Sequence, residues 1–209
     1  MRYLRDPKKI YQTSFEAILK EVDLSRFPES LHQIVIRLVH ATATPGIIEN
    51  IVWDGDVAGN ASSNIAKSAP IIVDANMVVS GIMKERLPEG SRIKCFLNDD
   101  SVPKLAKSLA TTRSAAAVEL WRPYLGDAVV SIGNAPTALF HLVDMLEDSS
   151  CPRPAVIFGF PVGFVGAAES KTYLIEKDLG IPYMTLTGRF GGSALAAAAI
   201  NAVLLGANE

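Results

Sequence analysis

The feature that most constrains this fold is a regular alternation of short apolar runs and longer helical patterns, which begins at Pro70. The apolar runs occupy residues 71–73, 92–97, 128–132, 155–158 and 183–186, and the helical patterns occupy 75–83, 102–109, 113–124, 136–146, 167–178 and 193–204. The predicted strands are apolar on both faces, which is typical of parallel strands covered by helices on two sides. The sequence therefore predicts an α/β fold with a parallel sheet of about five strands.

A helix is predicted near the N-terminus. Asp6 followed by Pro7 is a typical helix start, because the carboxylate caps free N–H groups and proline fits the first helical position. Apolar residues then recur at helical spacing, namely Tyr11, Phe15, Ile18 and Val22. Ser14 lies one turn from both Ile10 and Ile18, so we expect it on or beside the packed face of this helix.

A second helix is predicted from Pro28, and it ends in the segment 37–42. It is apolar on more than one side, which favours burial between two surfaces. His40 lies at its end, and an unperturbed imidazole has a pKa of about 6.5, which suits proton transfer at neutral pH. A lone histidine at a helix end is more often structural, however, so the pattern alone leaves both roles for His40 open.

Length and charge narrow the classes of function. The chain has 209 residues, which suits one domain spanning 1–209, and its formal charge of −2 gives no reason to expect nucleic-acid or membrane partners. Cys95 and Cys151 form no redox or zinc motif, the N-terminus lacks a secretory signal, and the apolar run 194–205 is too short for a bilayer. We therefore expect a cytoplasmic protein. The mean hydropathy of +0.24 suggests that a partner subunit covers apolar surface.

Three predicted strands run into glycine-containing loops that precede helices, at 132–137, 159–166 and 187–193. Ligands bind at the carboxyl ends of strands in open parallel sheets, and free N–H groups at helix starts attract phosphate or carboxylate groups. Each loop taken alone also fits an ordinary tight turn between a strand and a helix. None of them matches a dinucleotide-binding or P-loop fingerprint.

Other signatures are missing or ambiguous. His32 and His40 lie about 12 Å apart along one helix, too far to share a metal ion, and the usual hydrolase and cobalamin-binding motifs do not occur. Arg113 begins a predicted helix, where its guanidinium lies near free N–H groups and suits a carboxylate ligand. An unpartnered surface arginine is the alternative.

Seven segments, taken in order, resemble the precorrin-8X methylmutase family. They are 10–15 (IYQTSF), 37–42 (RLVHAT), 74–82 (DANMVVSGI), 112–117 (TRSAAA), 133–139 (GNAPTAL), 161–171 (PVGFVGAAESK) and 188–193 (GRFGGS). The resemblance extends from residue 3 to the last helix. The segment 43–46 departs from the family pattern, which affects the loop after His40 and leaves His40 itself in place.

The resemblance implies a single-domain, three-layer, flavodoxin-like fold and a homodimer with sites near the subunit interface. It implies migration of a methyl group from C-11 to C-12 of a corrin macrocycle, giving hydrogenobyrinate, or cobyrinate from the cobalt-containing substrate. His40 falls on the family's proton donor/acceptor, and no cofactor or metal is needed for an intramolecular rearrangement. The expected substrate-binding residues are Ser14, Arg113, Thr42, Asn134, Gly163, Lys171 and Arg189.

Two alternatives remain at this stage. A nucleotide- or flavin-binding α/β protein would use the same loops for phosphate, and the other alternative is a non-catalytic corrinoid carrier or pathway scaffold. A flavin spectrum, a bound corrinoid and turnover distinguish the three.

Overall fold

The computed structural model describes residues 3–206, and one six-stranded sheet runs through them. The strands are β1 (Ile51–Asp54), β2 (Ile71–Val73), β3 (Ile93–Lys94), β4 (Val129–Ile132), β5 (Val156–Gly159) and β6 (Tyr183–Leu186). They lie in the order β1-β6-β5-β4-β2-β3. The five strands from β2 to β6 are parallel, and counted among themselves they have the order 2-1-3-4-5 of flavodoxin-like folds. The predicted fold class is confirmed.

Helices cover both faces of this sheet. The described α-helices are α1 (Pro7–Glu21), α2 (Glu29–Thr42), α3 (Val57–Ala66), α4 (Asn76–Gly81), α5 (Val102–Ser108), α6 (Arg113–Glu119), α7 (Pro136–Glu147), α8 (Ala167–Glu176) and α9 (Ser193–Gly206). One apolar core lies between the sheet and α2, α3, α4 and α9, and a second lies between the sheet and α6, α7 and α8. A smaller apolar cluster joins α5 to α6. Strand β2 shows why its apolar run is continuous, because Ile71 and Val73 enter the first core while Ile72 enters the second.

Two elements were not predicted. Strand β1 pairs antiparallel with β6, so Ile51 lies opposite Leu186, and the sheet has six strands rather than the five expected. Helix α3 begins at Val57, where the Asp56 carboxylate accepts the N–H of Gly59. Two predicted elements are also shorter than expected, since only Ile93–Lys94 forms the strand expected at 92–97, and the helix expected at 113–124 ends at Glu119. None of the helices in residues 3–206 is long and apolar enough to span a membrane.

The two N-terminal helices differ in burial. Helix α2 packs between α9 and α1. The Asp6 carboxylate accepts the N–H groups of Lys8 and Lys9, as expected for a cap, but α1 contains no fully buried residue. Helix α1 is therefore an outer layer that contacts the protein mainly through α2.

The C-terminal end of α2 leads to the carboxyl edge of the sheet. A short 3-10 helix (Pro45–Asn50) joins α2 to β1, whose first residue pairs with the last residue of β6. The carbonyl of Asn50 accepts the N–H of Thr187, which directly follows β6. The chain therefore carries the end of α2 towards the edge where the glycine loops lie.

Candidate active site

His40 and Ser14 meet where α1 crosses the last turn of α2. The Ser14 Oγ lies 3.1 Å from His40 Nδ1, at hydrogen-bonding distance. The imidazole is exposed and rests against the Phe15 ring, with 5.3 Å between ring centroids. Because one ring nitrogen is engaged by Ser14, the ring orientation is fixed while the opposite nitrogen, Nε2, is left for another partner.

Arg37 supports this pair from one turn earlier in α2. It is only 9% exposed, and its guanidinium donates to the hydroxyl of Tyr11. It also lies over the rings of Tyr11 and Phe15, 5.5 Å and 5.4 Å from their centroids, and those two rings stack on each other at 4.3 Å. The cation thus holds the aromatic residues that pack against His40. This role of Arg37 was not predicted from the sequence. The available signal was the three-residue spacing from Arg37 to His40, which puts the two side chains next to each other on a helix.

A cleft of about 410 Å³ opens beside His40. Both helices of the pair contribute to its wall, and its lining residues are Ser14, Ala17, Ile18, Glu21, Val39, His40, Ala43 and Pro45. Another cleft, of about 490 Å³, is lined by residues such as Ile65, Arg86 and Val203 and contains none of the expected site residues. The smaller cleft is therefore the one that contains the expected residues Ser14 and His40.

The loop between β4 and α7 is organised by a buried carboxylate. Asp74, which directly follows β2, is 4% exposed and accepts the N–H groups of Gly133, Asn134 and Ala135 at 2.8, 2.9 and 2.7 Å. Burial raises the pKa of Asp74, and the backbone N–H groups act in the opposite direction. The chain's own carboxylate occupies these N–H groups, so they are not available to a substrate anion. The side chain of Asn134 is still exposed at the edge.

The other two glycine loops pack on each other. Gly192 N–H donates to the carbonyl of Phe160 at 2.8 Å, and a Cβ on Gly191 would lie 2.4 Å from that oxygen. The N–H of Gly163 reaches the carbonyl of Arg189 at 3.4 Å, and the exposed Arg189 guanidinium lies over the Phe164 ring at 5.5 Å. The close approach explains why glycine is needed at 191.

Lys171 lies beneath these loops. Its side chain is fully buried, and its ammonium donates to the carbonyl of Phe190 at 2.6 Å. Burial lowers the pKa of Lys171 to about 8. A side chain without exposed surface does not offer the direct substrate contact expected for Lys171, and instead it supports the loop that carries Arg189.

Two expected residues remain at helix ends. Thr42 closes α2, where its hydroxyl donates to the carbonyl of Leu38 at 3.1 Å. Arg113 is exposed at the start of α6 and forms no ion pair within the described residues. The helix of Arg113 is tied to α7 by a 2.8 Å hydrogen bond between the hydroxyls of Thr112 and Thr137. The structure therefore places Ser14 beside His40 and links the helix of Arg113 to the helix that follows the Asp74 loop. It also brings the loops of Gly163 and Arg189 together, next to Lys171.

Comparison with known proteins shows the family of the chain and agrees with its fold. The family model for precorrin-8X methylmutase matches residues 9–205. The chain belongs to the precorrin-8X methylmutase family. It is 47% identical to the precorrin-8X methylmutase of Sinorhizobium sp over 201 residues, covering 96% of this chain and 95% of the relative. It is 46% identical to the precorrin-8X methylmutase of Pseudomonas aeruginosa, with 96% of each chain covered.

More distant members of the family are also similar. The cobalt-precorrin-8 methylmutase of Methanocaldococcus jannaschii is 34% identical, over 87% of this chain and 82% of the relative. A crystal structure of the precorrin-8X methylmutase from Thermus thermophilus superposes with a TM-score of 0.85 at 33% identity, covering 96% of each chain. Family membership sets aside the nucleotide- or flavin-binding alternative.

Proposed function

We propose that this protein is a precorrin-8X methylmutase, an isomerase of cobalamin biosynthesis, in which His40 acts as the proton donor/acceptor. The reaction moves a methyl group from C-11 to C-12 of the macrocycle and gives hydrogenobyrinate. The observation that carries the proposal is the 3.1 Å contact between Ser14 Oγ and His40 Nδ1 at the wall of a cleft.

The reaction requires little from the protein beyond a correctly positioned proton donor. Protonation of the macrocycle changes its electron distribution and favours the shift of the methyl group, which stays within one molecule. Ser14 holds one nitrogen of His40, so Nε2 is directed to the substrate, and the Arg37–Tyr11–Phe15 group holds the imidazole from the side. Catalysis on this proposal uses neither a cofactor nor a metal ion.

The carboxylate arms of the substrate are proposed to bind at the carboxyl edge. Arg113 and Arg189 are exposed cations without an ion pair in the described part of the chain, so they are free to bind carboxylates. Asn134, Gly163 and Thr42 are proposed as further contacts at the same edge. Lys171 contributes by fixing the carbonyl of Phe190.

The proposed substrate carries no cobalt. The relatives named precorrin-8X methylmutase are 47% and 46% identical to this chain, whereas the cobalt-precorrin-8 methylmutases from Methanocaldococcus jannaschii and Salmonella typhimurium are each 34% identical. The greater similarity to the first group supports precorrin-8X. Competition between the two substrates in one reaction tests this choice, and preference for the cobalt form would reverse it.

The proposed assembly is a homodimer with its sites near the interface. Helix α1, which carries Ser14, exposes Ile10, Tyr11 and Leu19 at 46%, 44% and 52%. Exposed apolar side chains on such a helix favour coverage by a second copy, and a stable interface buries on the order of 2,000 Å². Sedimentation of the wild type should show one dimeric species, and Leu19→Lys should shift it to monomer. A fully active wild-type monomer would contradict the proposal.

The proposed compartment is the cytoplasm, and the proposed domain is the whole chain, 1–209. Support for the compartment comes from Cys95 and Cys151, which are both free thiols. Support for one domain comes from the family match, which covers residues 9–205.

Turnover of precorrin-8X by the purified protein tests the proposed function. The wild type should form hydrogenobyrinate, whereas a non-catalytic carrier would bind the corrinoid and leave it unchanged. Ser14→Ala should lower kcat by a few-fold to about tenfold, because one hydrogen bond contributes about 0.5–1.5 kcal/mol. Ser30→Ala, an exposed serine of α2, is the matched control and should leave kcat unchanged.

A further inference from the structure

Asp74 differs from the other buried polar groups because its side chain alone fixes the N-terminal end of helix α7. Its two carboxylate oxygens receive three N–H groups from consecutive residues, one on Oδ1 from Gly133 and two on Oδ2 from Asn134 and Ala135. These are N–H groups that precede α7 and point away from its body, where an anion is normally bound. The carboxylate of Asp74 therefore acts as an internal ligand of this helix start.

The fixed helix start leads to two of the expected substrate contacts. Asn134 lies within the bonded segment, and its own N–H is held by Asp74 while its side chain is exposed. One residue into α7, Thr137 shares a 2.8 Å hydrogen bond with Thr112. The Thr112 hydroxyl also caps α6 by accepting the N–H of Ala115, so the position of Arg113 follows from that of Thr112.

Packing leaves this loop little freedom to adopt another position. A Cβ on Gly133 would lie 2.7 Å from both Ala196 Cβ and Ser193 Cα, so the loop lies directly against the start of α9. The negative charge of Asp74 is offset by the N–H groups and by the positive end of the α7 dipole. Removal of the carboxylate would leave three N–H groups without an acceptor in a closely packed site.

We propose that Asp74 is a positioning residue for substrate binding, which sets Asn134 and, through Thr137 and Thr112, Arg113 against the carboxylate arms of the substrate. It does not touch the reacting atoms, because no contact joins it to His40 or Ser14. The inference rests on the proposed function for the identity of the ligand. It predicts that loss of Asp74 weakens binding and spares the chemical step.

The test compares Asp74→Ala and Asp74→Asn with the wild type in three measurements: melting temperature, hydrogenobyrinate affinity, and kcat and KM for precorrin-8X. Both variants should raise KM and the product Kd by about tenfold or more, while kcat of the folded enzyme stays within about twofold, because Arg113 loses its orientation and His40 does not. Asp148→Ala is the control. Asp148 also accepts a backbone N–H, from Ser150, but it is exposed at the opposite end of α7.

Rescue by a small carboxylate separates positioning from simple loss of stability. Sodium formate, added at constant ionic strength, should restore product affinity in Asp74→Ala by filling the vacated place among the N–H groups. It should have no effect on Asp148→Ala or on the wild type. Lower melting temperatures with unchanged KM and Kd, or a fall in kcat alone, would overturn the proposal.

A third variant keeps the proposal falsifiable if Asp74→Ala and Asp74→Asn do not fold. Thr137→Val removes only the hydroxyl that links α7 to Thr112. Its effect on product affinity should be largely lost in an Arg113→Ala background, because both changes act on the same contact. Additive effects would overturn the relay to Arg113. Turnover by the wild type, measured in the same series, reports separately on the proposed function.

Discussion

Two loops in contact at the carboxyl edge bury groups of opposite charge. The β4–α7 loop closes on the carboxylate of Asp74, which receives three N–H groups, whereas the β6–α9 loop is held by the ammonium of Lys171, which donates to one carbonyl. Gly133 of the first loop lies directly against Ser193, at the start of α9. The same edge is therefore stabilised by an internal anion on one side and an internal cation on the other.

The difference shows which groups remain for a substrate rich in carboxylates. The N–H groups at the start of α7 are already satisfied, so they contribute geometry and not affinity. Exposed guanidinium groups lie at the outer side of each loop, Arg113 beyond the Asp74 loop and Arg189 on the Lys171 loop. On the proposed function, we therefore expect the substrate arms to bind mainly to these side-chain cations.

The two buried charges should differ most clearly in how they make stability depend on pH. Lys171 has a pKa of about 8 in the folded protein, because burial disfavours its charged form, against 10.5 in the unfolded chain. Between these values the folded protein binds fewer protons than the unfolded chain, so its stability should rise with pH through this window by up to about 3 kcal/mol. Urea unfolding from pH 7 to 10.5 should show this rise in the wild type and its loss in Lys171→Met. Parallel curves for the two proteins would mean that burial does not lower the pKa of Lys171.

The next effect concerns Arg113. Arg113→Ala should weaken binding of hydrogenobyrinate by about 1.5–3 kcal/mol, the range for a hydrogen bond to a charged group, with the fold intact because the side chain is exposed. Equilibrium titration measures the change. Arg122→Ala, which removes an exposed guanidinium paired with Asp148, is the matched control and should bind like the wild type. Equal affinities of the two variants for hydrogenobyrinate would mean that Arg113 is an ordinary surface residue.

The smallest effect is expected for Phe164, an exposed residue that contacts Arg189 of the loop supported by Lys171. Phe164 is 85% exposed, and its ring contact is with the Arg189 guanidinium at 5.5 Å. Phe164→Ala should therefore change the free energy of unfolding by no more than about 0.5–1 kcal/mol. A loss above about 2 kcal/mol in urea unfolding would be typical of a core residue and would show that this loop is packed more tightly than its exposure indicates.

The sequence was sufficient for the parallel part of the fold. Runs such as 71–73 are apolar throughout because Ile71 and Val73 enter one core and Ile72 the other, and this pattern is visible without a structure. Strand β1 was missed because it is a short edge strand that ends in Asp54 and pairs antiparallel. Helix α3 was missed because Gly59, Asn60 and Ser62 are typical of loops, although Asp56 is a recognisable cap.

The candidate site was predicted from resemblance alone, because local geometry gave no signal for it. The segments around Ser14 and His40 are 26 residues apart, and no local rule predicts that their side chains meet. The same holds for Asp74, whose acceptor role depends on N–H groups 59 to 61 residues further along the chain. The available signal was an acidic residue directly after a buried strand. That signal does not distinguish a residue that contacts a ligand from one that caps a helix within the protein.

On the proposed function, His40 carries the proton transfer while other residues bind the substrate. The most direct test is the turnover of precorrin-8X by His40→Asn, measured on a preparation whose melting temperature and hydrogenobyrinate affinity are known. We expect turnover to fall by about 10²–10⁴-fold while the protein stays folded and still binds product, since general acid–base catalysis contributes this much. Turnover within about tenfold of the wild type by a folded, product-binding His40→Asn protein would contradict the claim.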